Sequence, residues 1–170
     1  MKIRNGFVTN SSSSSFIIAF KDESMIEDAI REAVEAQSPM PDNWMRISNE
    51  EFAQKIIEYA VNGIRRDRYT NFEDLREEIL DELRSEARWK FYYGKHQHWY
   101  AERDYLQTEE YLSKEKQYVE ERMKEIVEEL KDKQYIAYTS FSDEDGSIGS
   151  YVEHELAPYL EETVCYFSHH

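Results

Sequence analysis

The sequence predicts an α+β fold: a small, mainly antiparallel sheet from the N- and C-terminal segments, carrying a long helical hairpin as an insertion. Three observations point there. Phe16-Ile17-Ile18 is a continuous apolar run near the start, the pattern of a strand buried on both faces. Two stretches rich in aromatic and β-branched residues lie at the other end, 134–142 and 163–170. Between them the apolar residues recur at helical spacing. A chain of 170 residues fits one domain, 1–170, with the helical insertion at about 71–132.

Taken in order, residues 14–20 read as the first strand, preceded by a serine-rich loop. Ile26, Ala29, Ile30, Ala33 and Val34 make one face of a helix over about 24–35. Two prolines make 38–44 a loop. Ser48 and Glu51 form a capping box, with Ile47 stapled onto Phe52, and Gly63 supplies the stop. Thr70 and Glu73 repeat the box. Phe72, Leu75, Ile79 and Leu83 then stripe a helix that runs to about Tyr93, where Gly94 breaks or kinks it. Thr108 caps another long helix, to about Asp132, with Leu112, Val119, Met123, Ile126 and Leu130 along one side. Residues 134–142 read as a strand, 143–147 as a turn, the segment before Pro158 as a short helix, and 163–170 as a last strand.

Composition narrows the function. The chain is 40% hydrophobic and 14% aromatic, with 13 tyrosines, so it folds. It carries 36 acidic against 21 basic residues, a net charge of −15. Such a surface repels a phosphate backbone, which argues against general nucleic-acid binding and suits a basic partner or nucleic-acid mimicry. The single cysteine, Cys165, can form no internal disulfide and fits a reducing compartment. No window is apolar enough to span a membrane, and the start lacks the apolar run of a signal peptide. A cytoplasmic protein is expected.

The segment Arg4–Phe20, "RNGFVTNSSSSSFIIAF", holds five successive serines between apolar pieces. Backbone N–H groups in such a loop can form an anion nest. Arg4, Ser11, Ser12, Ser13, Ser14 and Ser15 are therefore anion-binding candidates, with a nucleotide or phosphate as the implied ligand. The plain alternative is a polar loop whose hydroxyls bond local backbone. The segment lacks the glycine–lysine spacing of a P-loop. In its letters, Arg4, Gly6, Phe7, Val8, Asn10 and Ser11 to Phe16 resemble an N-terminal signature, R-x-GFV-[ST]-NSSSSSF. That signature recurs in a family of uncharacterised small proteins of Gram-positive bacteria and their phages. The resemblance implies a phage or mobile-element accessory protein and a serine run that is a fixed feature. It implies no catalytic residue.

Asp143, Asp145, Glu153, His154, Glu155, His169 and His170 form a second cluster, capable of holding a metal or doing acid–base work. An EF-hand is excluded, because aligning Gly146 with that loop's glycine puts Phe141 and Val152 at ligand positions. The plain alternative is an acidic turn, a solvated helix and a histidine pair at a loosely ordered chain end. His96 and His98 share a face on a strand but not on a helix, and their surroundings look helical. Arg4, Tyr138–Ser140 and Glu153-His154-Glu155 are faintly similar to the motif order of ADP-ribosyltransferases, with the middle motif incomplete. Cys165, in an apolar strand, reads as inert core. Trp89, Tyr92, Trp99, Tyr100 and Tyr105 are interface candidates on the hairpin, or core between its helices. The expected function is a non-catalytic acidic binding module acting on a host protein, with a counter-defence or host-takeover role. The alternative is a small enzyme or nucleotide-binding protein that uses the serine loop and the Asp/Glu/His cluster. No cofactor is specified by the sequence.

Overall fold

A computed structural model describes residues 13–37, 47–93, 105–143 and 146–169. The side chains of Tyr93 and His169 lie outside the described set. The described elements are, in order, β1 (Ser13–Phe20), α1 (Met25–Ala36), α2 (Asn49–Arg66), β2 (Arg68–Tyr69), α3 (Phe72–Arg88), α4 (Glu109–Leu130), β3 (Tyr135–Ser142), α5 (Gly146–Tyr151) and β4 (Thr163–His169). A π-helical turn extends α3 over Trp89–Tyr93, and a second extends α5 over Val152–Leu156. The class is α+β.

The four strands form an antiparallel sheet in the order β2-β3-β1-β4. The first strand in sequence is therefore central. It pairs with β3 from Ser13↔Ser142 to Phe20↔Tyr135, and with β4 from Ser13↔His169 to Ile18↔Thr163. The β4 register shifts between Ile17 and Ile18, the mark of a bulge.

Side chains alternate along β1, so its apolar run feeds two cores. Phe16, Ile18 and Phe20 join α1, α2, α5 and the inward residues Tyr135, Ala137 and Phe141 of β3. Ile17 and Ala19 join Leu75, Ile79 and Leu83 of α3, Val119, Ile126 and Leu130 of α4, and Cys165 and Phe167 of β4. The sheet is thus covered on both sides, which is why β1 carries no polar alternation after Ser15. Each large apolar side chain fully buried here stabilises the fold by roughly 1.5–3 kcal/mol relative to exposure.

Several local readings need correction. Gly63 does not end α2: the helix runs to Arg66, and Gly63 sits inside it, where an added Cβ would lie 3.0 Å from the Phe141 ring. Its glycine is explained by close helix–sheet approach. The cap of α3 is Asn71, not Thr70. Asn71 Oδ1 accepts from the Asp74 N–H at 3.0 Å, while the Thr70 hydroxyl meets the Asp74 carboxylate instead. Leu112 is exposed, because Tyr111 takes the inward place at that end of α4, edge-on to Tyr105. The two-residue strand β2 has no sequence signal of its own. Caps at Ser48 and Thr108 form as expected, accepting from Glu51 N–H at 3.1 Å and Tyr111 N–H at 3.2 Å. The loop at 38–44, Gly94, His96 and His98 lie outside the described residues.

Candidate functional site

Gly146 opens α5 with φ of 77°, a conformation glycine adopts without strain. The π turn that follows turns Val152, Glu153 and Leu156 all inward. Tethers on both sides hold this segment. The Tyr151 hydroxyl donates to Gln37 Oε1 at 2.5 Å, and Gln37 Nε2 donates to the Glu155 carbonyl at 2.5 Å. The Thr163 hydroxyl donates to the Ala157 carbonyl at 2.6 Å. Such π turns recur at functional sites because they re-aim side chains that a regular helix would point elsewhere.

What the turn buries is a carboxylate. Glu153 is 1% exposed. The Ser14 hydroxyl, from β1, donates to its Oε1 at 3.0 Å. Its Oε2 makes no hydrogen bond among the described residues, and the His154 imidazole lies beside it with Nε2 at 3.6 Å. His154 itself is 44% exposed. Glu153 and Ser14 belong to the lining of a pocket of about 260 Å³, with His154, Pro158, Tyr159, Tyr166 and Ser168. Tyr166 is stacked on Phe16 with ring centres 6.0 Å apart, so its position is fixed by the core beneath it. The lining is small and partly aromatic, with one acidic side chain and one imidazole.

A larger cleft of about 860 Å³ lies on the other face of β4, between it and the α3–α4 hairpin. Trp89, Glu86, Arg122 and Cys165 line it. Arg122 Nη2 donates to Cys165 Sγ at 3.5 Å, and Nη1 bonds Glu125 at 2.6 Å. Burial pushes the Cys165 thiol up to about 11 against the pull of Arg122, so it is a neutral, unreactive group near neutral pH. Tyr118, also pushed up to about 12 by burial and then by its hydrogen bond to Glu86, ties the two helices together at the same place.

The structure brings together part of what the sequence singled out. Ser14 and the Glu153–His154 pair meet in one pocket. Ser13, Ser14 and Ser15 are not a loop: they are β1 residues paired with β3 and β4, so their backbone is engaged in a ladder on both sides and cannot form an anion nest. The Ser14 hydroxyl is also directed at a carboxylate, which repels an anion. Arg4, Ser11, Ser12, Asp145 and His170 lie outside the described residues, as does the His169 side chain. Glu155 is exposed and contributes its carbonyl to the tether with Gln37. Asp143 lies just past β3. Among the described residues no group of three His, Cys, Asp or Glu side chains is placed to hold a metal. On the hairpin, Trp89 is 61% exposed, whereas Tyr92 is buried and stacked on Tyr105 with centres 6.2 Å apart. Trp99 and Tyr100 lie outside the described residues. Sequence reading missed Tyr159, Tyr166 and Ser168. Alternation along β4 carried a usable signal, since Tyr166 and Ser168 fall on the face opposite Cys165 and Phe167.

Comparison with known proteins finds no matching family model, curated protein or solved structure. Among the described residues, no helix is long and apolar enough to cross a membrane.

Proposed function

We propose that this chain is a non-catalytic acidic binding module that docks on a basic host protein, in the setting of a phage or mobile-element accessory protein. The supporting observation is the distribution of charge over the helical layer. The apolar stripes of α3 and α4 are used on the sheet, and their outward faces are left to charge. Seven acidic and three basic residues in α3, with eight and four in α4, give this layer a net charge of −8 out of the chain's −15. Trp89, Leu112 and Val127 stand exposed among them, as the apolar anchors of an interface do. The accessory-protein setting rests on the resemblance of the N-terminal signature. Such a layer speeds and orients encounter with a cationic surface more than it adds affinity. The test is charge reversal on exposed α4 positions, Glu120, Glu121, Glu128 and Glu129 to lysine. A host protein cross-linked to the wild-type chain is expected to be lost from the reversed variant, with thermal unfolding unchanged as control. Equal capture by both variants would remove this reading.

A second reading, a small enzyme or nucleotide-binding protein, is favoured by the pocket that Ser14 shares with Glu153 and His154. A buried carboxylate disfavours a phosphate beside it, so in this reading the pair does acid–base work on a neutral or cationic group of the ligand. Saturable nucleotide binding that disappears in Ser14→Ala would carry this alternative.

A further inference from the structure

We propose that the pocket over Glu153 is a subsite for one alkylammonium or guanidinium group, supplied by a lysine or arginine side chain of the partner. It deepens the binding-module reading and rests on it for the source of the cation. Glu153 is 1% exposed, and only one of its two oxygens is hydrogen-bonded among the described residues. A carboxylate removed from water and left half-satisfied is costly, and a cation brought to the free oxygen offsets that cost with a charge-assisted hydrogen bond. The imidazole of His154, at 3.6 Å, is too far for such a bond and is itself open to solvent.

The rest of the recess suits the same group. Tyr159 is 73% exposed and Tyr166 53% exposed, and both line the pocket. Exposed aromatic faces beside a carboxylate attract a cation through the ring quadrupole, and they cover the apolar stem of a long basic side chain. The partner's backbone also has a place to lie. Among the described residues β4 is an outer strand, paired only with β1. Its unpaired backbone groups can accept an extended segment. Tyr166 and Ser168 belong both to that strand and to the pocket, so a segment laid along β4 passes the pocket mouth with every second side chain facing it.

The experiment is an NMR titration of the full chain with capped single amino acids. N-acetyl-lysine N-methylamide and its arginine analogue are expected to shift the backbone resonances of Ser14, Glu153, His154 and Tyr166 saturably. The norleucine analogue, which has the stem without the charge, and inorganic phosphate are expected to leave them unmoved. Glu153→Gln keeps the shape and the acceptor for Ser14, and is expected to weaken lysine binding by about tenfold or more. Tyr159→Ala, at a surface position, is expected to weaken it about threefold. The proposal is overturned if norleucine shifts the same resonances, if phosphate does so, if neither basic probe saturates, or if Glu153→Gln binds as the wild type does. These results are separable from the parent reading. If lysine fails here while α4 charge reversal still abolishes capture, the subsite is wrong and the module stands. If lysine binds and charge reversal has no effect, the helical layer is wrong and the subsite stands.

Discussion

Glu153 is buried, and only one of its two oxygens is hydrogen-bonded among the described residues. Its Oε1 is held by Ser14 at 3.0 Å, while its Oε2 meets, among the described residues, no closer partner than the His154 imidazole at 3.6 Å. A buried carboxylate left half-satisfied carries a larger desolvation cost than a neutral amide of the same shape. Glu153→Gln should therefore raise unfolding stability by about 1–2 kcal/mol, read as a higher urea midpoint at unchanged slope. Ser14→Ala should do the opposite and cost about 1–3 kcal/mol, because it leaves the second oxygen bare as well. Destabilisation by Glu153→Gln would mean that the charge is already balanced, and would remove the reason to look for a cation. A residue that costs stability where it sits is the pattern expected of function.

At the scale of elements, close approach explains more than local propensity does. Gly63 lies in mid-helix, where a side chain would meet the Phe141 ring at 3.0 Å and the Thr139 hydroxyl at 3.5 Å. Gly63→Val should cost about 1–3 kcal/mol by overpacking and lower the thermal midpoint; a neutral result would show that Phe141 can move aside. The helices were legible in the sequence because their stripes are regular: Leu75, Ile79 and Leu83 recur every four residues, and Ser48 and Thr108 announce their caps. Gly63 was misread as a stop because a glycine needed for packing and one needed for a turn look alike in a sequence. The two π turns were invisible for a physical reason. Each inserts a residue into the helical repeat, so the apolar phase slips, and both lie at candidate contact regions, Trp89–Tyr93 and Val152–Leu156. The Ser14–Glu153 pair, 139 residues apart, depended on sheet order, and only the existence of the strands was legible. The tyrosines of the pocket were lost among 13.

At the scale of the molecule, weak acids that are buried or hydrogen-bonded to a carboxylate set an alkaline limit. Cys165 is pushed up to about 11 by burial; Tyr69 to about 12 by its bond to Glu78 and then burial; Tyr111 to about 12 by burial and then Glu115. For each, the fold prefers the protonated form more than the unfolded chain does. Their contribution is thus complete below the ordinary thiol and phenol range and is lost as pH climbs through the raised values. Stability should hold from neutral pH to about 9 and fall between about 9 and 12, with Cys165 alone costing about 2 kcal/mol by pH 11. Urea midpoints at pH 8 and 11 check this, and equal midpoints would contradict it. The central place of β1 also bears on how the chain is made. Both of its neighbours, β3 and β4, come from far later in the sequence. On a ribosome, Phe16, Ile17 and Ile18 emerge before either partner and wait, with both edges open, while the helices between are synthesised and form locally. Until residues 135–142 and 163–169 arrive, this apolar strand offers two unpaired edges to wrong neighbours, and only its first residues, Ser13–Ser15, are polar.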